Sequence, residues 1–139
     1  MELDKLAKQY LEAGEMRDKN AAHHLVLSIV KEAASNFPRD NPEKLAWYSA
    51  ALQNPEIKWF AAQIIEKVNP VPKALLEDLV LAALLESNPS SNRKYVLPCV
   101  KTFGESKVKE IVLSLSTHPE VIANNGVEQV LYWVKQKNV

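Results

Sequence analysis

The stretch Asn54-Pro55-Glu56-Ile57-Lys58-Trp59-Phe60-Ala61-Ala62-Gln63-Ile64-Ile65-Glu66-Lys67-Val68 decides the fold class. At about 100° per residue, Ile57, Phe60, Ala61, Ile64, Ile65 and Val68 fall on one side of a helix opening at Pro55, with Gln63 and Glu66 on the other. Proline fits a first turn, and a polar residue before it is suited to cap the free backbone donors there. Trp59 projects about 200° from Ile57, so an aromatic ring sits on the polar side. It has two readings, packing against a neighbouring helix pair or a contact residue on an inner surface.

The same opening recurs downstream as NPSSNRKYVLPCVKTFG from Asn88 and HPEVIANNGVEQVLYWVKQ from His118, with Pro55, Pro89 and Pro119 spaced by 34 and 30 residues. Each copy is preceded at a similar offset by another helical segment: EKLAWYSAALQ, KALLEDLVLAALLES and ESKVKEIVLSLST. A fourth unit, LDKLAKQYLEAG followed by DKNAAHHLVLSIVKE, matches less closely. With three glycines and no Val/Ile/Thr-rich run that alternates with polar residues, the class is all-α. The breaks predict helices near 3–13, 19–35, 43–53, 55–68, 73–87, 90–103, 105–117 and 126–137. Short connections make neighbours antiparallel hairpins, and a period of this size predicts a stacked array.

The run Asn54-Pro55-Glu56-Ile57-Lys58, followed by Ala61-Ala62, resembles the short HEAT-like repeats typified by phycobilisome lyase-related proteins. The second copy places its basic pair one residue later, at Arg93 and Lys94. The third has His118 at the cap and Ala123 where a basic residue belongs, and Gly126 should restart or bend its helix. The resemblance spans roughly 43–137 and implies a right-handed α-α superhelix of about four stacked antiparallel hairpins, HEAT/armadillo-like, in one domain over 1–139 with 1–37 as a divergent first unit. Such modules usually serve protein recognition.

Seventeen basic residues balance seventeen acidic ones over 139 positions, which removes any global electrostatic case for nucleic acid or an anionic membrane. No run reaches the length of a spanning helix, and the charged start lacks a signal-peptide apolar core, so a soluble cytoplasmic protein is expected. No CxxC, HExxH or GxxxxGK[ST] occurs. Adjacent His23 and His24 diverge on a helix, as do Glu77 and Asp78; His118 reads as a cap, and the single cysteine, Cys99, lies on a core stripe. No catalytic residue, metal ligand or cofactor is assigned, and the balance leans away from an enzyme.

The chain between Arg93 and Lys109 carries Arg93, Lys94, Lys101, Lys107 and Lys109 against Glu105. On the helix 90–103, Val96, Cys99, Val100 and Phe103 form the core side, leaving Lys94 and Lys101 outward. In the last helix Tyr132 points away from the core stripe of Val127, Val130, Leu131 and Val134, and Trp133 borders it. Trp47, among Ala46, Ala50 and Ala51, reads as structural, and the apolar helix 73–87 should be the most enclosed. The expected contact set on the second helices is Lys58, Trp59, Arg93, Lys94, Lys101, Tyr132 and Lys135, facing a protein or peptide partner of acidic or amphipathic character. The alternative is a nucleic-acid-binding protein or enzyme resembling HEAT-like alkylpurine DNA glycosylases, against which stand their longer arrays and the lack here of a carboxylate in an aromatic pocket. A third reading, a bilin-handling subunit, needs a deep cleft. The oligomeric state has no signature in the sequence.

Overall fold

Local hydrogen bonds at polar residues set where several of the helices begin. The computed structural model describes residues 2–68, 70–88 and 90–136, with the side chains of Lys135 and Gln136 outside that set, as are Asn69 and Pro89. The helices are α1 (Glu2–Gly14), α2 (Lys19–Ser35), α3 (Pro42–Leu52), α4 (Lys58–Glu66), α5 (Leu76–Leu85, preceded by a 3-10 turn at Lys73–Leu75), α6 (Arg93–Phe103), α7 (Glu105–Ser114), α8 (Pro119–Asn124) and α9 (Gly126–Gln136). No strand occurs among the described residues, and the fold is all-α.

The side chain of the residue before each repeated proline accepts from the backbone N–H two residues on. Asn54 Oδ1 accepts from the N–H of Glu56 at 3.0 Å, Asn88 Oδ1 from that of Ser90 at 3.0 Å, and His118 Nδ1 from that of Glu120 at 3.2 Å. These two-residue turns explain the late starts of α4 and α6. The Asn54 carbonyl accepts from Ile57 and Lys58, so residues 55–57 form a turn and the helix opens at Lys58 rather than Pro55. His118 instead caps a short helix, α8, that precedes the expected one. Asp18 and Asn41 cap α2 and α3 through bonds of 3.0–3.2 Å.

The chain divides into two compact units, Met1–Val68 and Asn69–Val139. In the first, α1 packs on α2, and α2 and α3 both pack on α4. Phe60, Ala61, Ile64, Ile65 and Val68 are all buried, whereas Ile57 is half-buried. Tyr10 stacks on Phe60 with centroids 4.8 Å apart. Trp47 ties α3 to α1, donating from Nε1 to Asp4 Oδ1 at 2.8 Å, while its ring meets Tyr48 edge-on at 5.1 Å.

Tyr48 is fully buried, packed also against Phe37, and its hydroxyl has no hydrogen-bond partner among the described residues. Burial pushes the phenol well above its usual titration range. A buried hydroxyl without a partner carries its desolvation penalty uncompensated, so Tyr48→Phe should raise stability by about 1 kcal/mol. The guanidinium midpoint checks this; a lower midpoint in the variant would mean that the hydroxyl contributes a favourable bond.

In the second unit α5 packs against α6, α7, α8 and α9, and α9 also lies against α6 and α7. Leu75, Leu76, Leu79, Val80, Ala82, Ala83 and Leu84 are buried, which makes this apolar helix the centre of the unit. On α6, Val96, Cys99 and Val100 are buried as the stripe requires, Phe103 is half-buried, and Tyr95 joins the core. The helix runs through Pro98, where the missing N–H removes one rung of the ladder, and Cys99 Sγ donates to the Tyr95 carbonyl at 3.6 Å. Gly104 joins α6 to α7 at φ 89°, a conformation other residues rarely adopt.

Candidate binding surface

Asn92, immediately before α6, is completely buried, the sole polar residue of the described set to be so classed. Its Nδ2 donates to Gln129 Oε1 on α9 at 3.2 Å. Gln129 in turn donates from Nε2 to the Asn124 carbonyl at 3.5 Å, and Asn124 Nδ2 donates to the carbonyls of Leu84 and Glu86 at 2.8 and 2.9 Å. This amide relay fastens the start of α6 to α9 and the turn before α9 to the end of α5. Buried polar groups satisfied in this way specify one arrangement of the helices, because any slip leaves amides desolvated and unpaired.

One residue beyond Asn92 and one helical turn beyond Gln129, the same alignment brings the exposed Arg93 to the half-buried Trp133. The Arg93 guanidinium carbon lies 5.7 Å from the centroid of the Trp133 ring. Tyr132 meets Trp133 edge-on, with centroids 5.0 Å apart and planes at 80°, and remains 56% exposed. A guanidinium over an indole face is held by the ring quadrupole, worth about 0.5–1 kcal/mol at an exposed site, and it keeps edge N–H donors for a partner's oxygen atoms. Arg93, Leu97 and Lys101 follow one another at intervals of four along α6, exposed, half-buried and exposed in turn. No carboxylate occurs on this helix.

Of the residues expected at the contact surface, Lys58 and Trp59 lie on α4 in the first unit, both half-buried. Arg93, Lys94 and Lys101 lie on α6 and Tyr132 on α9 of the second unit, with Lys94 half-buried. The side chain of Lys135 lies outside the described residues. The structure joins Arg93 to the aromatic pair, which periodicity alone did not do: Trp133 had been placed only at the stripe's border, and Gln129 had carried no role. Their spacing of four is the available sequence signal, since it puts both on the edge of α9 that faces α6.

Elsewhere in the first unit a cleft of about 120 Å³ has Leu3, Leu6, Ala33 and Pro38 in its walls, with Glu2, Glu32, Asn36 and Lys44. Among the described residues, no three His, Cys, Asp or Glu side chains are grouped to hold a metal ion. His23 and His24 are exposed neighbours with ring centroids 6.1 Å apart. Burial pushes the Cys99 thiol up to about 12, which leaves it protonated and unreactive at neutral pH. No helix among the described residues is long and apolar enough to cross a membrane. Comparison of the chain with family models, with curated proteins and with solved structures gives no match.

Proposed function

We propose that the chain is a protein-recognition module built from short HEAT-like helical hairpins, arranged as a right-handed superhelix of about four units, which takes a protein or peptide on the surface of its second helices. The observation that carries this reading is the Arg93–Trp133–Tyr132 cluster, because it joins α6 and α9 into one surface, and the proposal takes these as the second helices of successive hairpins. Contact of α5 with α7 and of α6 with α9 supports stacked hairpins within the second unit, as α2 with α4 does in the first. The matching turns at Asn54, Asn88 and His118 support a common repeat. A rigid aromatic and an arginine on one exposed surface are the residue types that dominate binding energy at protein interfaces.

The reading is tested by cross-linked capture from native cells with the wild-type chain, Tyr132→Ala and Arg93→Ala, followed by identification of the bound proteins. Truncation of such an anchor costs more than about 1 kcal/mol, so a protein enriched by the wild-type chain should be depleted with both variants. Equal recovery would refute the assigned surface. Recovery that vanishes with nuclease and falls steeply with salt would replace a protein partner by nucleic acid.

A further inference from the structure

We infer that the Arg93–Leu97–Lys101 line of α6, with Tyr132 and Trp133 at one end, is a docking track for an extended acidic peptide segment in which a hydrophobic residue stands midway between two carboxylates. The proposal rests on the recognition reading above and names the chemistry of the partner.

Arg93 and Lys101 are both exposed, and no carboxylate occurs on their helix. An α-helix rises about 1.5 Å per residue, so eight residues place them about 12 Å apart along the axis. An extended chain advances about 3.3 Å per residue, and side chains four apart, on the same face, stand about 13 Å apart. The two spacings agree along the helix axis, and the line winds about 80° around it. The residue midway between those carboxylates points to the same face and meets Leu97, which is half-buried and midway along the track. A segment of the pattern Glu-x-Leu-x-Glu therefore sets opposite charges over Arg93 and Lys101 and an apolar side chain over Leu97.

The Arg93 end is the more discriminating. A guanidinium resting over the Trp133 ring presents its donors in a planar fork that matches a carboxylate in two parallel bonds, whereas Lys101 acts as a mobile point charge. Tyr132, edge-on to Trp133 and 56% exposed, adds a second aromatic ring next to the one under the guanidinium.

The test uses the full chain and fluorescein-labelled ten-residue peptides centred on Glu-x-Leu-x-Glu, on Gln-x-Leu-x-Gln, and on the same residues with both glutamates adjacent. Fluorescence anisotropy at low salt should show the Glu-x-Leu-x-Glu peptide binding at least about tenfold more tightly than the glutamine peptide, as loss of a charge-assisted pair implies. The adjacent-glutamate peptide should bind more weakly than the spaced one. Arg93→Gln should lose the preference for glutamate over glutamine with its far-UV circular dichroism unchanged, and Lys101→Gln should lose the advantage of the spaced glutamates. Equal affinity for the glutamate and glutamine peptides, no binding at millimolar peptide, or tighter binding of a ten-nucleotide single-stranded DNA would each overturn the proposal. If native capture depends on Arg93 and Tyr132 while these peptides fail, the acidic track alone is wrong; if capture ignores both residues, the recognition surface itself is wrong.

Discussion

Leu79→Ala should lower the unfolding free energy by about 2–5 kcal/mol, the range for truncating an enclosed leucine and leaving a partly collapsed cavity. Leu79 is 1% exposed on α5, the helix that meets α6, α7, α8 and α9. Leu113, 52% exposed on α7, supplies the control, since its truncation leaves no cavity. Chemical denaturation of the two variants beside the wild type should separate them clearly. Coincident midpoints would show that α5 is not the centre of the unit.

Gly126→Ala should also destabilise the second unit, by about 3 kcal/mol, the upper end of overpacking costs. A Cβ at this position would overlap the carbonyl oxygen of Leu84 and come within 2.8 and 2.9 Å of the Leu84 carbonyl carbon and Cα. These are backbone atoms of the last turn of α5, so no side-chain rotation relieves the clash. Movement of α9 away from α5 would also stretch the bonds from Asn124 to the Leu84 and Glu86 carbonyls. A midpoint of thermal unfolding within one degree or so of the wild type, in a variant with unchanged helicity, would contradict this close approach.

The helical class and most buried faces were legible in the sequence because a single period carries both. Ile64 and Ile65 on α4, Val96 and Cys99 on α6 and Val130 and Val134 on α9 are buried where the stripes put them. The late opening of α4 was not legible, because Asn54 and Pro55 are equally suited to cap a helix or to make a turn before it. Tyr95 and Tyr48 were missed as core residues since their rings are amphipathic, and only the neighbouring helices decide which end wins. Asn92 was missed for a different reason. Its partner is 37 positions away, and no local pattern announces a pairing of two neutral amides. Within the proposed contact surface, facing and charge point to Arg93 and Tyr132, whereas the link between them through Trp133 depends on how α6 lies against α9.

The junction of α8 and α9 also fixes how this protein should age. Asn125 adopts φ 56°, a left-handed conformation open chiefly to glycine and asparagine, and the next position accepts only glycine because Leu84 occupies the space of a Cβ. The fold thus selects an Asn-Gly pair, in which no side chain on the glycine hinders attack by its deprotonated backbone nitrogen on the asparagine side-chain carbonyl carbon. That attack expels ammonia and closes a succinimide, whose hydrolysis leaves aspartate or inserts an extra methylene into the main chain as isoaspartate. Either product adds a negative charge at the head of α9, and the isoaspartyl form lengthens the connection whose close fit against Leu84 excludes a single methyl group. The geometry that locks the second unit together therefore also places an Asn-Gly pair where a lengthened main chain would have to part α9 from Leu84.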